Sequence, residues 1–455
     1  MTHVAASVVR PPAVAGAFYP ADPAKLSTDI RQLLGHSAAP VPRLGWPKAL
    51  VLPHAGYIYS GAVAAAGYAA WRAGRGAIAR VILIGPTHRV PLRGVALAGA
   101  DFFATPLGRV PVDREAEALL ADLQFVVTSP RAHALEHALE VHLPFLQEVL
   151  GAFTVVPLAV GEATPDEVAH ILERLWGGPE TVIALSTDLS HFHTQREAQR
   201  LDAHTAERVL ALRHDIEPNE ACGARPLNGL LLAAQRRGLV IHKLMQCTSG
   251  DTAGDLKRVV GYGSFALDEA ELAEGSAGRH LIALACQAVA HRLGLAAAPQ
   301  PTRWWLEPEA ATFVTLKRRG ALRGCIGTLQ AWRSLGADLL ANAEAAAFAD
   351  PRFAPLHRAE WPEVTVEVSV LSAPQALPFA TEAELLTALV PGVDGLILES
   401  NGKRATFLPQ VWEELPDKRA FLTHLRRKAG LASDFPLTRC QIGRYRVAKY
   451  AEPEG

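Results

Sequence analysis

Four stretches of this chain place reactive side chains directly after runs that read as strands. In the first, Leu52-Pro53-His54-Ala55-Gly56-Tyr57-Ile58-Tyr59-Ser60-Gly61, a proline ends the run Ala49-Leu50-Val51-Leu52 and a histidine follows. The second run, Arg80-Val81-Ile82-Leu83-Ile84-Gly85, leads into Pro86-Thr87-His88. The third, Thr181 to Leu185, leads into Ser186-Thr187-Asp188-Leu189-Ser190-His191. The fourth, Leu239 to Gln246, delivers Cys247 ahead of Thr248-Ser249-Gly250-Asp251. Two neutral imidazoles and a thiolate are borderline-to-soft donors. His54, His88 and Cys247 therefore suit iron, copper or zinc and do not suit magnesium or calcium. Asp188 and His191, three residues apart, suit an acid/base imidazole with a carboxylate that orients it. For Asp188 the plainer alternative is a helix cap.

Such residues act together only if the fold gathers them. Short continuous apolar runs read as strands buried on both faces of a parallel sheet. Neighbouring parallel strands lie about 4.8 Å apart and present their C-terminal loops along one edge. Two or three such loops can converge on one ion whose ligand bonds are about 2.0–2.3 Å long. Over residues 131–150, Leu135, Leu139, Leu143, Leu146 and Leu150 recur at three- and four-residue spacing, which predicts one helix. Its polar face carries His133, Glu136, His137 and Glu140, with His142 following. The His-Glu-x-x-His order of a zinc protease helix is missing. That face is expected either to be solvated or to support the ligands from behind.

At 455 residues the chain is too long for one ordinary core. A net charge of −1 gives no general attraction for polyanions, so no nucleic-acid partner is expected. Five widely spaced cysteines with no Cys-x-x-Cys argue against a disulfide framework or zinc ribbon and for reduced thiols in a cytoplasm. The N-terminus lacks the basic and apolar regions of a signal peptide. The small-residue run at 61–71 is too short to span a bilayer, so no membrane association is expected.

A shift to acidic and small residues after residue 268 sets the expected boundaries: 1–268, a linker at 269–277, and 278–455. Gly275-Ser276-Ala277-Gly278 reads as the hinge, with Ser276 capping a helix from His280 to Leu293. Ala311 to Lys317 and Leu322 to Leu329 read as a hairpin turning at Arg318-Arg319-Gly320. Its second arm contains Arg323-Gly324-Cys325-Ile326-Gly327. Glycines flanking a cysteine in a strand suggest a bulge or the close approach of another group. Arg323 beside Cys325 could bind an anion in a second pocket; tight sheet packing around an inert thiol is the plainer reading.

Residues 8–267 resemble the Memo family. The resemblance rests on Pro53-His54-Ala55-Gly56-Tyr57-x-Tyr59-Ser60-Gly61, Gly85-Pro86-x-His88, Glu136-His137-x-x-Glu140-x-His142-Leu143-Pro144, Ser186-x-Asp188-x-x-His191 and Cys247 in its small-residue turn. Residues 278 to about 451 are similar to the AMMECR-type domain through Leu322-Arg323-Gly324-Cys325-Ile326-Gly327-Thr328, Asp350-Pro351-Arg352-Phe353 and Phe407-Leu408-Pro409-Gln410-Val411-Trp412. The resemblance implies an N-terminal three-layer α/β domain similar to class III extradiol dioxygenases, followed by a smaller α+β domain. It puts His54, His88 and Cys247 at the metal-ligand positions, and Asp188 and His191 beside them, with His191 at the acid/base place. His137, Glu140 and His142 are expected to back the ligands. The dioxygenases complete two histidines with a carboxylate, whereas here a thiol stands, itself open to oxidation. The expectation is a redox protein dependent on iron or copper, with zinc also suited, acting on a small molecule, aromatic or otherwise. Its rival is a metal-binding adaptor without turnover. Joined domains of these two kinds resemble the AmmeMemoRadiSam system, which implies a radical S-adenosylmethionine protein as partner.

Overall fold

The computed structural model describes residues 7–36, 43–252, 255–272 and 274–452. The chain divides into two compact units: Met1–Ala39 with Trp46–Ala273, and Pro40–Gly45 with Glu274–Gly455.

The apolar runs of the first unit form the centre of a nine-stranded sheet. Ala49–Leu52, Thr181–Ser186, Arg80–Pro86 and Thr154–Val160 lie side by side in that order, all parallel. Apart from Arg80 and Thr154 every residue in them is buried, as strands covered on both faces require. Leu52 pairs with Ser186, and Ile84 with Leu185, so the loops after these strands leave from one edge at one level. Val259–Asp268 runs antiparallel beside Ala49–Leu52, and Val240–Thr248 pairs antiparallel with Val259–Asp268.

Each face of the sheet carries helices. Val51, Ile84, Leu158 and Leu185 share one core with residues of the helices Pro165–Leu175, Gln195–Leu210 and Ala224–Arg237. On the opposite face the helix Tyr57–Tyr68 approaches so closely that a Cβ on Gly67 would lie 2.2 Å from Leu52 Cδ2. The first unit is thus a three-layer α/β fold.

Residues 131–150 differ from the expected single helix. They form three short ones, Pro130–Ala134, His137–Glu140 and Leu143–Leu150. Glu136 is extended and caps the second with its own carboxylate, which accepts from Ala138 N at 2.9 Å. Pro144 sits in the first turn of the third, the helix position that tolerates proline. The face carrying His133, Glu136, Glu140 and His142 is not solvated: all four are buried.

The second unit is α+β, with two four-stranded sheets and the helices Glu274–Arg292, Leu335–Phe348 and Lys418–Lys428. The expected hinge Gly275–Gly278 is helical, because the first of these helices begins at Glu274. Gly278 serves packing instead: a Cβ there would lie 2.4 Å from Tyr450 Cδ1. Among the described residues no helix is long and apolar enough to cross a membrane.

Candidate metal centre

Pro53 ends the strand Ala49–Leu52 and turns His54 into the edge of the sheet, where the ring is 2% exposed. The His54 backbone N–H donates to Asp188 Oδ1 at 2.8 Å, tying two strand-end loops together. Its ring Nδ1 lies 2.6 Å from Ser186 Oγ, and the Ser186 hydroxyl donates to the carbonyl of Ala138 at 2.6 Å. That carbonyl takes the only hydroxyl proton Ser186 has, so Ser186 can only accept from His54. The imidazole therefore carries its proton on Nδ1 and leaves Nε2 with a bare lone pair. Gly85 makes room for this serine, since a Cβ there would lie 2.8 Å from Ser186 Cβ.

His88 is fixed by the same logic. Its ring Nδ1 is 2.9 Å from Glu136 Oε1 and its backbone N–H donates to Glu136 Oε2 at 2.6 Å. One carboxylate thus holds both the loop and the tautomer, and again Nε2 is left bare. The two rings stand edge to face with centroids 5.1 Å apart.

The thiol that meets these rings is Cys222. Its Sγ lies 3.3 Å from His54 Nε2. Ligand atoms of His54, His88 and Cys222 all fall within 4.8 Å of one another, and a second group joins His88, Glu136 and His137. A common ion with bonds of about 2.0–2.3 Å would separate its donors by about 3.3–3.8 Å, close to this spacing. Cys247 belongs to neither group. It pairs with Tyr262 on the strand Val259–Asp268. Cys247 thus stands on a strand separated from Ala49–Leu52 by Val259–Asp268.

Cys222 lies just ahead of the helix Ala224–Arg237, not at a strand end, which is why sequence reasoning passed over it. The available signal was Cys222-Gly223 at a helix entry. A Cβ on Gly223 would lie 2.6 Å from the Ser186 carbonyl oxygen, so the glycine lets the thiol close on the sheet.

Burial sets the electrostatics. It drives His54 well below the ordinary imidazole value, with His88 and His137 adding to the effect. It pushes the Cys222 thiol up to about 12, reinforced by the Asp188 charge. Asp188 is raised to about 7, again by burial. This is a dry pocket of neutral donors whose thiol and carboxyl gain a reason to ionise when a cation enters.

Asp188 spans His54 and Cys222: its Oδ2 is 3.9 Å from His54 Nε2, and its backbone N–H points at Cys222 Sγ at 3.3 Å. His191 takes its orientation from another group, with Nδ1 2.8 Å from the Leu189 carbonyl. The next residue, Phe192, is 64% exposed and has φ +66°, a left-handed backbone that costs a bulky residue about 1–3 kcal/mol.

The three supporting residues have separate tasks. His137 stacks on His88 at 4.8 Å between centroids, and its Nδ1 is 3.3 Å from Glu136 Oε1. His142 Nδ1 pairs with the Tyr68 hydroxyl at 2.8 Å, and burial lowers the ring to about 3. Glu140 clamps the N-terminal arm. It accepts from Arg10, from Ala13 N at 2.7 Å, from Val14 N at 3.0 Å and from the Tyr19 hydroxyl at 2.5 Å.

In the second unit the residues around Cys325 are already engaged. Arg323 forks onto Glu360, with both bonds 3.0 Å long. The Cys325 backbone N–H donates to Asp350 Oδ2 at 2.8 Å, and Thr315 Oγ1 donates to its sulfur at 3.2 Å. Gly324 and Gly327 answer to packing: Cβ atoms there would lie 2.1 Å from the Ala346 carbonyl oxygen and 2.2 Å from Phe313 Cγ.

Comparison with known proteins agrees with this division. The Memo-like protein family model matches residues 10–266, more than half of the chain. The chain belongs to the Memo family. The AMMECR1 model matches residues 282–450. Proteins named as MEMO1 family members match the Memo region. The one from Sulfolobus acidocaldarius is 34% identical over 278 residues, covering 56% of this chain and 98% of its own. Those of Methanothermobacter thermautotrophicus and Methanopyrus kandleri are 35% and 37% identical, each over 56% of this chain and 99% and 96% of their own.

Proposed function

We propose that the Memo unit holds a transition metal on His54, His88 and Cys222 and uses it in redox chemistry on a small molecule, with His191 as the acid/base. Iron or copper suits the two-imidazole, one-thiolate set best, and zinc is also suited. One observation carries the reading: two imidazoles held in the Nδ1-protonated form lie beside one thiol, and His54 offers that thiol an unprotonated Nε2. The bound ion would supply Lewis acidity, and iron or copper would add a redox couple.

The protein's part is binding, orientation and proton handling. Ser186 and Glu136 hold the ligand tautomers. Cys222 gives up its proton as the cation enters. His191, donating from Nδ1 to Leu189, is left with Nε2 to take or return a proton. The two family matches in one chain support a working association with a radical S-adenosylmethionine protein. Five free cysteines support a reducing compartment such as the cytoplasm.

The test is metal analysis of protein purified without oxygen. About one transition-metal ion per chain is expected, falling at least tenfold in His54→Ala. Equal metal content in the variant would overturn the reading.

A further inference from the structure

At the edge of the sheet a cleft of about 450 Å³ reaches His88 and Cys222. That is the size of a small-molecule site. Pro91, Leu92, Val160, Pro218 and Pro226 give it rigid apolar walls. Two arginines, Arg93 and Arg225, also line it. The Arg93 fork is occupied, because it donates to both Glu167 carboxylate oxygens at 3.1 and 3.0 Å and to the Glu162 carbonyl at 2.5 Å. Arg225 is different. It makes no hydrogen bond among the described residues, and its ion pair with Glu162 spans 3.9 Å, beyond hydrogen-bond reach.

Arg225 stands three residues after Cys222, in the first turn of the helix Ala224–Arg237. One short stretch of chain thus brings to the same cleft a thiol and a guanidinium held, among the described residues, only by the longer pair with Glu162. A guanidinium fork matches a carboxylate bidentately, and such charge-assisted pairs are the strong hydrogen bonds.

Resting on the metal reading above, we propose that this cleft takes a small apolar molecule, of aromatic size, with a carboxylate at one end. Arg225 pairs with that carboxylate, and the other end of the molecule reaches the donors His88 and Cys222. Glu162, beside Arg225 in the same wall, competes for the guanidinium and repels the incoming anion.

Calorimetric titration of the full metal-containing chain with 3,4-dihydroxybenzoate and with catechol separates the two ends of the ligand. The carboxylate compound binds about tenfold more tightly than catechol. Arg225→Gln removes that advantage and leaves catechol unchanged, and Glu162→Gln strengthens only the carboxylate compound. Metal content is measured on the same samples, so an empty centre is recognised as failure of the metal reading. With the metal present, equal binding of both compounds and no effect of Arg225→Gln would overturn the proposal.

Discussion

Cys222 and Cys247 differ in what surrounds the sulfur. Cys222 lies against the bare nitrogen of His54, whereas Cys247 lies on an outer antiparallel strand, with burial and Asp251 raising it to about 11. In the linear sequence both were cysteines near small residues, and only Cys247 followed a run that reads as a strand. Nothing in residue spacing says which strand is inserted between two others, so the thiol's place was not legible. The histidines were, because the strand-end loops carrying them belong to adjacent or next-adjacent parallel strands. Their tautomers were not, since they depend on Ser186 and Glu136, brought in from elsewhere in the chain. Ser186→Ala frees the His54 ring to take the other tautomer. It is expected to weaken metal binding by about 10–100-fold with little change in fold, measured by competition with a chelator. Asp202 offers a pH test away from the ligands. Its Oδ1 accepts from Ser190 N at 2.9 Å, and burial raises its carboxyl from 3.8 to about 6. The folded chain holds that proton more tightly than the unfolded one. The stability it gives is therefore complete below pH 3.8 and lost as pH rises through about 6. Urea unfolding of Asp202→Asn should lack this component of the pH dependence.

Elements were read most surely where periodicity was simple. The central strands were legible as apolar runs, and the parallel edge that gathers their loops followed from them. The three short helices were not, because leucines at three- and four-residue spacing continue across their breaks. The breaks come from Glu136, which leaves the helix to serve His88, and from Pro144. Burying the polar face depends on partners distant in sequence, above all Arg10 and Tyr19 on Glu140. The Glu140 side chain is 0% exposed and that of Arg10 5% exposed. Glu140→Gln leaves a buried guanidinium without its counter-charge and is expected to cost about 3–5 kcal/mol, read by chemical denaturation. The helix Ala224–Arg237, which brings Cys222 to the site, packs through Gly229, where a Cβ would lie 2.3 Å from Val168 Cβ. Gly229→Ala should destabilise the unit by about 1–3 kcal/mol through overpacking and lower metal affinity with it.

For the whole molecule, the two classes of fold were legible because the first half alternates apolar runs with helical stretches and the second mixes hairpins and helices. The boundary was blurred by a small-residue stretch that reads as a hinge but is helical, with Gly278 packing against Tyr450. The Memo unit contains both groups that could hold a metal among the described residues. Cys325→Ala, in the AMMECR1-like unit, should therefore leave the metal content of the chain unchanged. The central claim is that Cys222 completes the centre. It is tested most directly by metal content and affinity in Cys222→Ser and Cys247→Ser, prepared side by side without oxygen. The account predicts at least a tenfold loss of affinity in Cys222→Ser and none in Cys247→Ser. The reverse pattern would contradict it.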